Sequence, residues 1–222
     1  MGRDKALMEL AGKPLIQHAV KKLRRVCADV RISTDNEELE AFAPIVHDIH
    51  PGCGPMSAME AGLRHSIFEW NLFMAVDMPF VPSAFLFDWP RGFRLRRRNE
   101  VLGPAWVQMF EHDGRPQPAL CLLHKDVGPF LTAAIERGDY KLVPVLRDAG
   151  QVLAERDGFL PGSGFFCLPV TGWAESERGF SQSEDWLFMT DIQRTALPFW
   201  FANVNTPEEF SEAERHLDAL DT

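Results

Sequence analysis

The sequence predicts an α/β fold: an open, mostly parallel sheet with helices on both faces, stacked as three α/β/α layers. Three observations carry this expectation. Strand-like and helix-like segments alternate through about the first ninety residues, the pattern of crossover-connected parallel strands. Residues 71–76 (NLFMAV) form a nearly continuous apolar run ending at a polar residue, as a buried parallel strand does. The 222-residue chain, 45% hydrophobic and 25% charged, can supply one globular domain with a substantial core.

Each element follows in order. Residues 14–27 read as a helix, because Leu15, Ile16, Ala19, Val20, Leu23 and Val26 form one apolar stripe and Pro14 suits a first helical turn. Residues 29–34 read as a short strand, with a helix starting at Asn36 and a second short strand at 45–47. Helices are expected at 56–67, entered from the Gly54-Pro55 turn, and at 82–89 on the far side of the 71–76 strand. Strands at 101–109 and 119–123 flank the His112-Asp113-Gly114 turn. Helices at 125–137 and 140–148 follow, the second weakened by Pro144. A last strand is expected at 199–204. A closing helix at 207–220 has Pro207 at its start and Glu208 and Glu209 in its first turn. The segment 150–198, with Pro161-Gly162-Ser163-Gly164 and a polar stretch, reads as an insertion or lid within a single domain spanning 1–222.

Charge and cysteine usage narrow the function classes. A net charge of −9 argues against a nucleic-acid-binding surface but not against a phosphorylated ligand, which needs only a local basic cluster. Two such clusters, Lys21, Lys22, Arg24 and Arg25 in a helix and Arg94, Arg96, Arg97 and Arg98 in a loop, read first as solvated faces. Cys27, Cys53, Cys121 and Cys167 are widely spaced with no CxxC pair, which fits reduced cytoplasmic thiols better than a disulfide framework or a zinc site. No secretory signal opens the chain, and no apolar run reaches membrane-spanning length, so no membrane role is expected.

The residues that can carry chemistry lie near element ends. Asp77, at the end of the 71–76 strand, can hold Mg²⁺ against nucleotide phosphates or cap the turn that follows. Lys5 and Lys13 put two ammonium groups near the start of a helix, as phosphate partners or as solvated side chains. Gly52-Cys53-Gly54-Pro55 allows close backbone approach to a ligand, or is simply a turn into a helix. Asp48 can accept both N–H groups of a guanine edge, or stands as a surface carboxylate beside His47. Asn203 and Asn205 can offer amides to Mg²⁺, phosphate or a pterin, with Asn205-Thr206-Pro207 also reading as a helix cap.

Five short pieces, in order, make these signals specific: Met1-Gly2-Arg3-Asp4-Lys5, Gly12-Lys13-Pro14-Leu15, Gly54-Pro55-Met56-Ser57, Val76-Asp77-Met78-Pro79 and Asn203-Val204-Asn205-Thr206-Pro207. They resemble the molybdenum cofactor guanylyltransferases, the MobA-like nucleotidyltransferases, over residues 1–149 and 199–222. The resemblance implies a Rossmann-like fold of the nucleotide-diphospho-sugar transferase type. It also implies transfer of GMP from GTP to molybdopterin or molybdenum cofactor, with Mg²⁺ and release of pyrophosphate. Lys5 falls on the family's phosphate-binding lysine and Asp77 on its Mg²⁺ ligand, so these two are the implied catalytic residues. The implied nucleotide-binding set is Lys5, Lys13, Ser33, Asp35, Asp48, Gly54, Pro55 and Asp77. Asp48 matches the guanine-reading aspartate. Ser33 stands where the family often has Asn, with Asp35 as a substitute. Gln117 and Pro118, in the segment Arg115-Pro116-Gln117-Pro118-Ala119-Leu120, and Asn203 and Asn205 fall on the pterin side. The implied partners are GTP, the pterin substrate, and cofactor-biosynthesis proteins or acceptor molybdoenzymes, in the cytoplasm.

The rivals are a cytidylyltransferase acting on the same pterin, a sugar-1-phosphate nucleotidyltransferase, disfavoured by Gln117-Pro118, and a catalytically silent binding or adaptor module. The family signature begins with a strand and a glycine-rich loop of about a dozen residues that donate backbone N–H groups to phosphate. Here the match begins at Met1. The expectation is a gene start placed too late, or a shortened homologue, and poor GTP binding by the 222-residue chain.

Overall fold

The computed structural model describes residues 4–96, 105–160, 162–170 and 189–221, except for the side chains of 91–96. Met1, Gly2 and Arg3, Pro161, residues 171–188 of the 150–198 segment, Arg97 and Arg98, and the side chains of Arg94 and Arg96 lie outside the described residues. The chain divides into two compact units. The first comprises Met1–Val30, Met74–Gly92 and Ala174–Thr222; the second comprises Arg31–Phe73 and Phe93–Trp173.

The first unit opens with a single 3-10 turn at Lys5–Leu7, capped by the Asp4 carboxylate, which accepts from the Ala6 N–H at 2.9 Å. A minimal hairpin follows, β1 (Glu9–Leu10) against β2 (Lys13–Pro14). Its two loop residues, Ala11 and Gly12, have φ of 52° and 70°, the paired positive values that a two-residue type I′ connection requires. Helix α1 (Leu15–Val26) buries the early part of the expected stripe, Leu15, Ile16, Ala19 and Val20. His18 is also buried, and its Nε2–H donates to the Leu10 carbonyl at 2.8 Å; burial lowers its pKa. The unit's core gathers Leu10, Leu15, Phe80, Val204, Phe210, Ala213 and Leu220.

The second unit holds the other two sheets. β3 (Ile32–Ser33) and β4 (Ile45–Val46) pair in parallel, separated by a 3-10 segment, Glu37–Ala41, whose N-cap is Asn36. Helix α2 (Pro55–His65) follows. A four-stranded sheet runs in the order β5 (Trp70–Met74), β7 (Arg115–His124), β6 (Val107–His112), β8 (Phe165–Pro169). It is mixed: β6 and β7 form an antiparallel hairpin, while β6 and β8 are parallel. The β5 residues are all half-buried rather than fully enclosed, in keeping with a place at the edge of this described sheet. Helices α4 (Gly128–Glu136) and α5 (Leu142–Arg156) supply Leu131, Ala134, Leu146, Ala149 and Leu153 to a core shared with Met56, Met59, Val107, Met109 and Leu123.

Several boundaries differ from the sequence expectation. Helix α3 (Ser83–Arg96) runs through Pro90 and past the expected end at Trp89. Pro144 sits in the first turn of α5, where its missing N–H has no intrahelical partner to lose. The helix therefore continues to Arg156, and Gly150 lies inside it rather than opening an irregular segment. The expected strand at 199–204 is absent. Residues Leu197–Trp200 form a short helix, α7, just after α6 (Asp191–Thr195), and only Val204 makes a strand-like contact, its N–H donating to the Asp77 carbonyl at 3.0 Å. The reason is in the packing. Ala196, Phe199 and Trp200, at i, i+3 and i+4, face the interior together, with Trp200 Nε1 donating to the Gln193 carbonyl at 2.9 Å. The closing helix α8 (Pro207–Glu214) is shorter than expected and gives way to a 3-10 turn at Leu217–Ala219.

Candidate functional site

In the first unit, three elements bring three polar side chains together. The Lys5 ammonium donates to Asp77 Oδ2 at 2.5 Å and also to the Asn205 side-chain oxygen. The Asp77 side chain is 15% exposed, and its second oxygen, Oδ1, is buried with no hydrogen-bond partner among the described residues. A buried carboxylate oxygen left without a donor is costly unless something else binds it.

Local sequence explains how each of the three is held. Lys5 starts the Asp4-capped turn. Asp77 lies three residues beyond the end of β5, with its carbonyl fixed by Val204 N–H and its successors Met78, Phe80 and Val81 buried. Asn205 is fixed through its backbone, whose N–H donates to Glu209 Oε2 at 2.7 Å; the Thr206 N–H donates to the same oxygen at 2.8 Å. Thr206 in return accepts from the Glu209 N–H at 3.2 Å, a capping box that starts α8 with Pro207 in its first turn. Those backbone donors, with the Thr206 hydroxyl and Lys5, hold the Glu209 carboxyl below its usual pKa. The cap at 205–207 is therefore also the device that presents the Asn205 amide. Asn203 is exposed in the same segment. Lys13 is exposed on β2, and among the described residues no hydrogen bond or ion pair joins it to Lys5 or Asp77.

In the second unit, the Ser33 hydroxyl, at the end of β3, donates to Asp48 Oδ1 at 3.1 Å. Asp35 pairs instead with His47, 3.3 Å away, and both are exposed. The glycine turn enters α2 with φ of 85° at Gly52 and 65° at Gly54, values that disfavour any side chain, and Pro55 takes the first helical turn. This turn is braced from below. Glu60, 1% exposed, accepts from His50 Nδ1 at 2.7 Å and from the Thr132 hydroxyl at 2.6 Å, while Ser57 Oγ donates to the His50 carbonyl at 2.7 Å. Gln117 and Pro118 are half-buried on β7, and the Gln117 amide nitrogen donates to the Arg115 carbonyl at 3.1 Å. Among the described residues no hydrogen bond ties Gln117 to Asp48 or to the glycine turn.

Lys22 and Glu60 are, like Asp88, buried charges that the motifs do not mark. Lys22, expected on a solvated face, is 1% exposed, and its ammonium donates to the Pro79 carbonyl. The signal was present, since Lys22 lies three residues after Ala19 and four before Val26, on the apolar stripe itself. Glu60 likewise interrupts the Met56, Met59, Leu63 stripe of α2. Arg25 is not simply solvated either, because it pairs with Asp221 at 3.1 Å.

Comparison with known proteins places these features. Residues 1–153 match the model of the MobA-like NTP transferase domain, and the chain belongs to that family. It is 32% identical over 151 residues to the molybdenum cofactor guanylyltransferase of Vibrio atlanticus, spanning 66% of this chain and 73% of that protein. It is 33% identical over 160 residues to the enzyme of the same name from Serratia proteamaculans, spanning 67% of this chain and 73% of the relative. Among solved structures it is similar to molybdopterin-guanine dinucleotide biosynthesis protein A from Archaeoglobus fulgidus, with a TM-score of 0.66, 21% identity, and coverage of 99% of this chain and 93% of that one. It also resembles 2-C-methyl-D-erythritol 4-phosphate cytidylyltransferase from Thermus thermophilus, with a TM-score of 0.52, 13% identity, and coverage of 96% and 94%. The fold is thus the expected α/β fold of the nucleotide-diphospho-sugar transferase type, and the chain is a MobA-like nucleotidyltransferase of molybdenum cofactor biosynthesis. No described helix is long and apolar enough to cross a membrane.

Proposed function

We propose that the chain transfers GMP from GTP to molybdopterin or its molybdenum-loaded form, releasing pyrophosphate. The observation that carries this reading is the Lys5–Asp77–Asn205 cluster with its unpartnered Asp77 Oδ1. Mg²⁺ fits this donor set. It favours oxygen ligands, one or two of them carboxylates, and takes the rest from phosphate and water. Among the described residues no group of three or more His, Cys, Asp or Glu could hold a metal, so a cation here would draw most of its ligands from the substrate and solvent. Asp77 Oδ1 and the Asn205 amide oxygen would hold it, while Oδ2 stays with Lys5. When bound, Mg²⁺ supplies charge neutralisation on the phosphates.

The reaction is an in-line displacement. A terminal phosphate oxygen of the pterin attacks the α-phosphorus of GTP; that P–O bond forms as the bond to the β-phosphate bridge breaks, and pyrophosphate leaves with the electron pair. Such chemistry needs positioning and charge stabilisation rather than a protein nucleophile. Lys5, a compact point charge, binds the phosphate oxygens as negative charge shifts toward pyrophosphate, and Asp77 orients it. Lys13 adds positive charge near the phosphates. Asp48 reads guanine: Ser33 engages Oδ1, while Oδ2 and a remaining lone pair accept the two N–H groups of the base edge. Gly54 and Pro55 let the backbone approach the nucleoside, with Ser33 and Asp35 at its margin. Gln117, Pro118 and Asn203 are assigned to the pterin on the family resemblance. The product's recipients are cofactor-biosynthesis proteins or acceptor molybdoenzymes in the cytoplasm.

Pyrophosphate release with molybdopterin, compared for GTP and CTP, tests this reading. GTP should be the preferred donor, and Asp48→Asn should cut the preference by about tenfold or more, the worth of a lost bidentate base contact. Preference for CTP would select the cytidylyltransferase, and no release with either nucleotide would favour the adaptor.

A further inference from the structure

The turn that carries Asp77 is secured by a buried charge on a different element. Lys22 of α1 is fully enclosed, and its ammonium donates to the carbonyl of Pro79, two residues beyond Asp77. Enclosing an ammonium is expensive, and an apolar side chain of similar volume would fill the space at lower cost. Burial pulls the Lys22 pKa down to about 7, against the opposing pull of Asp221.

The surroundings extend the same restraint. Asp221 accepts from the Ser83 N–H at 2.7 Å, pairs with Arg25 at 3.1 Å and accepts from the Gln193 amide at 3.3 Å; Arg25 also donates to the Ser83 hydroxyl at 3.1 Å. Residues 77–83 are thus fixed at three points: at Asp77 by Val204 N–H, at Pro79 by Lys22, and at Ser83 by Asp221. Met78, Phe80 and Val81 fill the interior between them. A carboxylate that must meet the Lys5 ammonium, which also donates to Asn205, needs its backbone held to a fraction of an ångström.

We propose that Lys22 is a positioning residue, which fixes the Asp77 turn through the Pro79 carbonyl and so sets the geometry of the Lys5–Asp77–Asn205 cluster. The chemical consequence rests on the transferase reading above; the positional consequence does not. The test uses the full chain with Lys22→Met, which keeps length and removes the donor, and Lys22→Arg, which keeps a charged donor. Amide hydrogen exchange is followed in the peptide covering 74–82, alongside pyrophosphate release. In the Met variant, exchange in 74–82 should quicken about tenfold or more while α8 and the β6–β7 hairpin keep wild-type protection. Its kcat should fall about tenfold or more, with a raised Mg²⁺ requirement and a KM for GTP changed less than about threefold. The Arg variant should recover part of both effects. Wild-type exchange in 74–82 together with wild-type kcat would overturn the proposal. So would faster exchange spread evenly over the chain with kcat unchanged. If Lys22→Met does not fold, the Arg variant decides by the same criteria: local loosening of 74–82 supports the role, and global loosening defeats it. If the wild-type protein releases no pyrophosphate, the transferase reading fails and the exchange measurement still decides the role of Lys22.

Discussion

The cluster around Asp77 and the one around Asp48 are built by opposite means. Asp77 sits on a turn of buried residues, pinned at its carbonyl by Val204 and two residues later by Lys22, and its side chain is 15% exposed. Asp48 follows a two-residue strand, is half-buried, and meets one hydroxyl, that of Ser33. Below the glycine turn, however, lies Glu60, as deeply buried as Lys22. In each unit, residues exposed enough to meet a ligand stand next to a buried charged residue that fixes the backbone. Group-transfer chemistry rewards a rigid charge at one point, whereas reading a base rewards hydrogen-bond pattern and tolerates more give. On the proposed roles of Asp77 and Asp48, that difference accounts for the tighter construction around Asp77.

The largest effect should come from Asp77 itself. Asp77→Asn keeps the shape and removes the charge, and should lower kcat about a hundredfold or more, as lost electrostatic stabilisation does. A loss no greater than that of Ser33→Ala would erase the contrast between the two clusters. Next is Glu60→Ala, which strands the Thr132 hydroxyl and the His50 imidazole. Chemical denaturation should show a loss of about 2–3 kcal/mol, much of it from buried polar groups left unpaired. A change below about 0.5 kcal/mol would mean that the glycine turn does not depend on its brace.

Lys22 sharpens the comparison through pH. Its pKa falls from 10.5 to about 7 on burial, while Asp221 pulls it up and Arg25 pushes it further down. Between those values the unfolded chain binds more protons than the folded one, so stability rises with pH across that window. The unfavourable contribution is therefore complete below about pH 7 and is relieved toward about pH 10. Lys22→Met removes it, so the variant's stability relative to wild type should be greater at about pH 6 than at about pH 9.5 by roughly 1–3 kcal/mol, measured by denaturant unfolding. A pH-independent difference would contradict a depressed Lys22. The smallest effect is expected from Ser33→Ala, which removes one partly exposed hydrogen bond to Asp48 and should change KM for GTP by about threefold or less.

Several of the candidate residues sit at element ends, where short motifs keep their spacing and can be read locally. The capping box at Thr206–Glu209 and the positive-φ glycines at 52 and 54 could be read as local chemistry, and the structure uses both to present neighbouring groups. The stripe of α1 is legible too, but its charged member Lys22 reads as solvated, because composition favours exposed lysine and only the fold supplies a carbonyl for it. The strand expected at 199–204 failed for a related reason. Periodicity in a short aromatic run does not separate strand from helix, and the deciding contacts of Phe199 with Phe80 and His216, and of Trp200 with Phe85, come from distant sequence. The resemblance implies that Lys5 and Asp77 act together but sets Asn205 on the pterin side, and the contact of Asn205 with Lys5 across 200 residues of chain comes from the fold.

The most direct test is calorimetry of GTP binding with and without Mg²⁺, for the wild-type chain and for Asp77→Ala. The account predicts that Mg²⁺ strengthens the weak GTP binding expected of the wild-type chain, and that Asp77→Ala abolishes this increment while leaving the Mg²⁺-independent component in place. An equal Mg²⁺ increment in both proteins would show that Asp77 Oδ1 does not serve the cation, and the site described around Lys5 would lose its central claim.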